Sequence, residues 1–317
     1  MKYIQHVIAN NTITLARACL ALSVLGTLLF TPLTDLFPEH HMATLAEGRT
    51  LIGQYNIFFL FDNFYIGYGI AIVGLILVIV GFAPRFTCWL QSWITYSFFY
   101  GMLIVEGGDQ LNAILTLLLI PICILDPRIN AWKNKPSQEK LPSWLYWNAR
   151  YAIIFIGLQM ALLYLNAGAG KTFATEWYNG TAIYYWFNDN MFGAPDWLKF
   201  IINPIIQSNI GVSLLTWGVI GLEIVLFVAF FLPQQYKYRF FAVGVFFHFA
   251  IVMVHGLTSF WLAMSGGLIL YLLRLDLSIA DNWKLLREAI MTTISLPQKS
   301  VSISQQTAAT TESMEAA

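Results

Sequence analysis

The sequence is divided into eight apolar runs, which constrain the fold more than any other feature. A helix rises about 1.5 Å per residue, so roughly twenty apolar residues cross the ~30 Å hydrocarbon core of a bilayer. Apolar residues make up 58% of the chain and charged residues 11%, whereas about a quarter of a soluble domain is charged. We therefore predict an all-α polytopic membrane protein, a bundle of about eight transmembrane helices. The runs lie at about 13–31, 64–83, 91–105, 111–125, 151–170, 211–232, 240–257 and 260–274.

Basic residues are distributed unevenly among the segments that join the runs. If the N-terminus is inside, the outer side holds only Arg49, Lys171 and Lys199 of the 17 Lys and Arg residues. Cytoplasmic segments of membrane proteins carry an excess of Lys and Arg. We therefore expect both termini in the cytoplasm and the basic loop 126–150 on the inner side. No small-residue cleavage site follows the first run, so we expect it to remain as a span.

Two segments lie outside the spans. The outer segment 171–210 is polar and aromatic, which favours an interfacial helix or a cap over an outer cavity, centred on 175–187. Residues 281–317 should form a cytoplasmic amphipathic segment and a disordered tail rich in Ser, Thr, Gln and Ala. The predicted domains are thus a transmembrane domain over 1–280 and this cytoplasmic end. A net charge of zero implies no attraction to nucleic acid.

Ionisable residues in or beside the apolar runs are candidates for a site, because charge near hydrocarbon is costly and usually faces protein or water. Glu106 and Asp109 lie in a short outer turn over 106–110, where a solvated turn and one facing protein are both open. Glu223 lies within a span and should face the interior, for structural pairing or for function. His248 and His255 are seven residues apart and share one helix face, either as polar contacts or as a functional pair.

Lys171 stands where the fifth run leaves the membrane on the outer side. It belongs to a Gly-Lys-Thr sequence, but a phosphate loop needs another glycine upstream and a preceding strand, so we exclude a nucleotide site. The lysine either snorkels to the interface or faces the bundle interior, where loss of solvation would make it a usable base. Glu176 and Trp177 follow in the outer segment and are candidates for substrate binding.

Cysteine and histidine spacing gives no sign of a metal or a disulfide. Cys19, Cys88 and Cys123 lie in or beside apolar runs and are interpreted as small apolar residues. No Cys/His pattern has zinc-ligand spacing, and the histidines lack further ligands nearby.

Three segments resemble one protein family. They are the run from Gly108 to Leu115 that leads to Ile120-Pro121, the segment from Asp126 to Trp132, and the segment from Leu163 to Lys171. Together they are similar to the SdpB family, bacterial membrane proteins of sporulation-delaying toxin systems. That family is grouped with the HTTM superfamily, whose membrane domain is shared with vitamin K-dependent gamma-carboxylase. The resemblance covers roughly 10–280 and implies a multi-pass protein of the bacterial cytoplasmic membrane.

The carboxylase resemblance implies roles for individual residues. Its catalytic base lies in a segment that reads Tyr-Phe-x-Ala-Gly, then Lys, Trp and Gly, and the Phe247-His248 pair resembles a later Phe-His pair. The resemblance implies that Lys171 is a catalytic base. The outer turn has no histidine where the carboxylase has one, so the resemblance implies peptide maturation more than carboxylation. With a one-residue shift, the similar residues are Tyr164, Ala167, Gly168, Lys171, Trp177 and Gly180.

Three functions remain open at this point. The first is maturation or export of a small secreted toxin peptide at the extracytoplasmic face, with a peptide precursor, a small SdpA-like protein and membrane lipid as partners. The second is a quinol-dependent carboxylase-like or redox enzyme, in which Lys171 deprotonates a hydroquinone. The third is a transporter or an immunity-type binding protein, although the sequence shows no transporter-like repeat. The predicted outer cavity is lined by Glu106, Asp109, Lys171, Trp177 and His255, and the catalytic candidates are Lys171, His248 and His255.

Overall fold

The computed structural model describes residues 2–47, 51–136 and 142–294, and in these ranges the protein is helical. The only β feature in those ranges is an isolated bridge between Phe82 and Asn130. The all-α prediction is therefore confirmed for the described part of the chain, while the predicted tail after residue 294 lies outside it. The helices are α1 (Lys2–Ala9), α2 (Thr12–Phe30), α3 (Leu33–Leu36), α4 (Glu39–Glu47), α5 (Leu51–Gln54), α6 (Phe64–Ile79), α7 (Pro84–Gly101), α8 (Gly107–Cys123), α9 (Ser143–Lys171), α10 (Thr175–Tyr178), α11 (Ala182–Phe187), α12 (Asp196–Ile206), α13 (Asn209–Val228, continued by a 3₁₀ turn Ala229–Phe231), α14 (Gln234–His255), α15 (Thr258–Leu272) and α16 (Ile279–Ile294).

Each apolar run coincides with one helix: α2, α6, α7, α8, α9, α13, α14 and α15 in turn. Among the described helices, α2, α9, α13 with its 3₁₀ turn, and α14 are long and apolar enough to cross a membrane. The apolar helices α6, α8 and α15 are shorter, with 16, 17 and 15 residues. Length and composition thus establish a membrane protein with at least these four candidate spans.

The third and fourth helices differ from their predicted bounds. Helix α7 begins at Pro84, before the predicted 91, because Ala83 adopts a left-handed conformation and proline suits a first helical position. Helix α8 begins at Gly107, so 106–110 is not a turn. Asp109 lies in the first turn of α8, where its Oδ2 accepts a hydrogen bond from the Glu106 N–H at 3.0 Å. A capping interaction of this kind is not visible in the apolar pattern.

The centre of the bundle is formed by α2, which packs against α15, α6 and α8. Close approach of α2 and α15 depends on Gly266, where a Cβ would lie 2.9 Å from Leu20 Cγ. Two long polar side chains buried here are paired: Arg17 Nε donates to Gln91 Oε1 at 2.9 Å, and Asn112 Nδ2 donates to the Leu20 carbonyl at 2.7 Å. Such pairing is what burial away from water requires.

At one end of the bundle, side chains tie the N-terminal helices to later segments. Arg128 forms a 2.6 Å ion pair with Asp126 and also donates to the carbonyls of Ala9 and Asn10. Near the same end, Asn282 of α16 accepts a 2.8 Å hydrogen bond from the Tyr238 hydroxyl of α14. The described part of the basic loop and α16 are therefore integral to the bundle.

The predicted single interfacial helix in 171–210 is wrong in detail, because the structure divides this segment into α10, α11 and α12. Gly180, with φ +74°, forms the turn between the first two of these helices, and an added Cβ there would lie 3.0 Å from Ser213 Oγ. Helix α12 exposes Trp197, Phe200 and Ile201. The segment is aromatic along its length, and its aromatic pattern does not indicate the turns that divide it.

Candidate functional site

The last residue of α9 forms an ion pair with a carboxylate inside α13. Lys171 Nζ lies 2.7 Å from both Oε1 and Oε2 of Glu223, and it also donates to the Ala167 carbonyl at 3.2 Å. The Lys171 side chain is 23% exposed and that of Glu223 only 8%. Of the two readings of Lys171, the structure favours a lysine that faces the bundle, and Glu223 has the interior partner that its position in a span demands.

Close packing of α9 and α13 brings this pair together. A Cβ at Gly168 would lie 2.9 Å from Ile224 Cδ1 and 3.3 Å from Glu223 Cβ, so a larger residue there would push the helices apart. Gly168 lies three residues before Lys171, which places both on neighbouring positions of one helix face. Gly168 near the end of α9 therefore serves helix packing, as expected of small residues between membrane helices.

The first outer helix covers the lysine. Lys171 Nζ is 5.2 Å from the centre of the Trp177 ring, a distance at which a cation is attracted to an aromatic face. The Thr181 N–H donates to the Glu176 carbonyl at 2.8 Å and closes the turn after α10. The Glu176 side chain itself is exposed, so the structure joins Trp177 to the pair but gives Glu176 only a backbone role.

His248, which lies on α14, makes a second buried contact with α9. Its Nε2 lies 3.0 Å from the hydroxyl of Tyr164, and its Nδ1 is buried without a hydrogen-bond partner. The Phe247 and Phe260 rings lie 5.0 and 5.4 Å from the imidazole. Tyr164 was noted in the sequence only as part of a motif, because a tyrosine in an apolar run carries no sign of its partner.

The remaining candidates line a separate cavity of about 370 Å³. Ser259 Oγ donates to Glu106 Oε1 at 2.7 Å, and Asp109 Oδ1 is buried without a partner. Burial raises the pKa of the Glu106 carboxyl above its ordinary value, while the Ser259 hydrogen bond opposes that rise. His255 Nδ1 contacts the Phe192 carbonyl. The cavity is lined by Thr27, Thr31, Asp35, Leu36, Met102, Ile104, Val105, Glu106, Asp109, Trp186, Phe192, His255, Leu257 and Ser259.

The structure thus divides the predicted outer cavity into two places. Glu106, Asp109 and His255 come together in the cavity, whereas Lys171 and Trp177 cluster with Glu223. The cause is the direction of the lysine side chain, which points towards α13. Ser259 was missed by sequence reasoning, since a serine near a helix start gives no functional signal. Within the described ranges, no three His, Cys, Asp or Glu side chains are grouped as for a metal ion.

Comparison with known proteins gives two similarities that extend over most of each chain, both in Bacillus subtilis (strain 168). Over 281 residues the chain is 31% identical to the protein named "Uncharacterized protein YitO", which covers 85% of this chain and 87% of that protein. Over 283 residues it is 32% identical to sporulation-delaying protein SdpB, which covers 86% of this chain and 84% of that protein. No family model and no solved structure matches.

Proposed function

The chain belongs to the SdpB family, and from this premise we propose that it acts in the production of a small secreted antimicrobial peptide of the sporulation-delaying kind. The similarity to SdpB extends over most of both proteins, so it includes the helices that hold the candidate site. The protein would work in a bacterial cytoplasmic membrane, beside a peptide precursor and a small SdpA-like partner.

We further propose that all eight apolar helices span the bilayer, with both termini inside and α10–α12 at the outer interface. The distribution of Lys and Arg supports this orientation. Helices α6, α8 and α15 have 15 to 17 residues, near the shortest length that spans hydrocarbon. The exposed aromatic side chains of α12 suit the headgroup region.

The observation that carries the chemical part of the proposal is the Lys171–Glu223 pair beneath Trp177. In the ion pair the lysine is protonated and offers N–H donors that hold or polarise a peptide carbonyl or carboxylate. Transfer of that proton to Glu223 leaves a neutral amine, which then serves as a base. This transfer moves one proton within the pair. Before it, the charged lysine can bind substrate electrostatically, and after it, the neutral amine can act as a base.

The two histidines, both catalytic candidates from the sequence, receive different roles in this proposal. His248 is buried and bonded to Tyr164 on α9, so we assign it a positioning role for the helix that ends in Lys171. His255 lines the outer cavity, where it can contact substrate directly.

The test is peptide production in cells that express the precursor, the SdpA-like partner and this chain. We expect Lys171→Ala and Glu223→Gln to lower the secreted mature peptide by roughly a hundredfold, because removal of one key catalytic group costs about that much. Lys199→Ala is the matched control, since this lysine lies in the same outer segment but in no described ion pair. Mass spectrometry of the peptide identifies the bond that changes.

Normal peptide from inserted Lys171→Ala protein would remove Lys171 from the chemistry. A product heavier by one CO₂, made only with the intact lysine, would instead support the carboxylase-like function. Mature peptide in cells without the chain, together with loss of protection from it, would support an immunity-type binding protein.

A further inference from the structure

The wall of the 370 Å³ cavity is largely apolar, and the charged side chains in it are acidic. Its lining includes Asp35, Glu106 and Asp109 but no Lys or Arg. A carbonyl only accepts, so the contact between His255 Nδ1 and the Phe192 carbonyl places a proton on Nδ1. In a neutral ring this leaves Nε2 as another acceptor. Such a lining is complementary to a cation or a group rich in N–H donors.

One acceptor in this cavity lacks a partner. Asp109 is 4% exposed, its Oδ2 accepts from the Glu106 N–H, and its Oδ1 has no described hydrogen bond. A buried carboxylate oxygen without a donor costs free energy, on the order of 1–3 kcal/mol or more for a charged group. A bound donor would remove that cost, so the empty acceptor points to a ligand.

A second cavity, of about 540 Å³, adjoins the first between α2 and α15. The two share Thr27, Thr31 and Ser259 in their linings. Ser23 and Thr258 also line it, but most of its other side chains are apolar. Three of the apolar ones are exposed on the surface of the bundle: Leu22 at 40%, Leu29 at 52% and Phe30 at 88%. In a bilayer this groove therefore opens towards lipid and leads to the acidic cavity.

We propose that the groove and the cavity together dock a peptide segment that joins a free amine to an apolar stretch. The ammonium lies at Asp109 Oδ1, close to Glu106 and His255, and the apolar side chains fill the groove between α2 and α15. The identity of the occupant rests on the proposed function, which supplies a secreted peptide. Charge complementarity and an apolar path continuous with the acid site favour a cationic amphipathic segment.

The direct test is binding to the full chain in lipid nanodiscs, measured by fluorescence anisotropy. The probe is a leucine-rich synthetic peptide with a free N-terminal amine and a fluorophore at its other end, and its charge control is the N-acetylated peptide. We expect the amine form to bind at least about tenfold more tightly, since a charge-assisted hydrogen bond is worth roughly 1.5–3 kcal/mol. Asp109→Asn should remove this preference, whereas Asp62→Asn, at an exposed acid, should keep it.

A groove variant tests the apolar half independently. A Cβ at Gly26 would meet nothing within 4 Å, so the first side-chain carbon of Gly26→Leu is accommodated. The rest of the leucine occupies part of the groove and should weaken binding of both peptides about tenfold or more. Gly218→Leu is the matched control, because Gly218 has equally open space but lies on α13, away from the groove. If Asp109→Asn fails to fold, the acetylated peptide and the comparison of Gly26→Leu with Gly218→Leu still test the proposal.

Equal binding of the two peptides, or unchanged binding by Gly26→Leu, would overturn the proposal. The proposal would also be overturned if the peptide bound weakly and a simple long-chain alkylamine displaced it. That result would instead indicate a lipid amine as the ligand. Binding is measured without product formation. A failure here therefore leaves the role in peptide production standing, and a failure of the production assay leaves the docking result standing.

Discussion

At the scale of single residues, the Lys171–Glu223 ion pair places two charges inside the bundle, so removal of either one should affect stability. Loss of one partner leaves a largely buried charge unpaired, which costs up to about 3–5 kcal/mol at fully buried sites. Because the lysine is 23% exposed, we expect a smaller loss of about 2 kcal/mol for Lys171→Met or Glu223→Gln. The double variant Lys171→Met with Glu223→Met should recover most of this loss, because no charge is then left behind.

Thermal unfolding in detergent measures this double-mutant cycle. Additive losses in the double variant would show that the two side chains do not interact energetically. A double variant that is stable but produces no peptide would separate the structural part of the pair from its chemical part.

Sequence reasoning identified these residues but not their partners. Glu223 in an apolar span had to find an interior partner, and Lys171 had an open choice between interface and interior. Their pairing depends on how α9 and α13 meet, 52 positions apart in the chain. Likewise, His248 and His255 share a face as predicted, yet one contacts Tyr164 and the other the outer cavity, because different helices cover the two ends of α14.

At the scale of elements, the apolar pattern located the helices but not their ends. Each run coincides with one helix because hydrophobic length is set by the bilayer. Ends are set by local chemistry that hydropathy does not contain. Helix α7 starts at the proline that follows the left-handed Ala83. At the start of α8, the Asp109 side chain accepts a hydrogen bond from the Glu106 N–H. Hydropathy likewise does not separate the three outer helices, since Gly180 marks the break between α10 and α11, and Gly193 and Pro195 lie between α11 and α12.

Helix α6 offers a matched pair of glycines that tests the packing at this scale. A Cβ at Gly67 would lie 2.0 Å from the Ile57 carbonyl oxygen, which is backbone and cannot rotate away, whereas a Cβ at Gly69 would meet nothing within 4 Å. We expect Gly67→Ala to destabilise the protein by about 1–3 kcal/mol. Gly69→Ala should be neutral or slightly stabilising, because alanine favours helices.

Chemical denaturation in the same detergent compares the two variants directly. Equal stability of Gly67→Ala and Gly69→Ala would mean that the segment around Ile57 does not pack on α6. A loss confined to Gly67→Ala would instead place the outer segment before α6 firmly on the bundle.

At the scale of the whole molecule, the proposal depends on which face each loop occupies. The site requires that Lys171 and the acidic cavity face outward, while the basic segment near Arg128 and α16 face the cytoplasm. These positions follow from eight crossings. With one crossing fewer and the N-terminus still inside, α16 would change sides. The basic loop would change sides as well if the missing crossing preceded it, and the asymmetry of Lys and Arg would be weakened.

Cysteine labelling in intact cells measures this arrangement. Cys19, Cys88 and Cys123 are replaced first, and single cysteines are then placed at exposed positions. Phe173, 90% exposed beside the site, should react as Phe173→Cys with a membrane-impermeant maleimide. Lys133→Cys and Lys284→Cys, exposed in the basic segment and in α16, should react only after the membrane is permeabilised. Helix α9 is the only described helix between positions 133 and 173, so reaction of both positions from the same side would show that α9 does not cross the membrane. If both reacted only after permeabilisation, Lys171 would lie on the cytoplasmic side, away from the outer face on which the proposal depends.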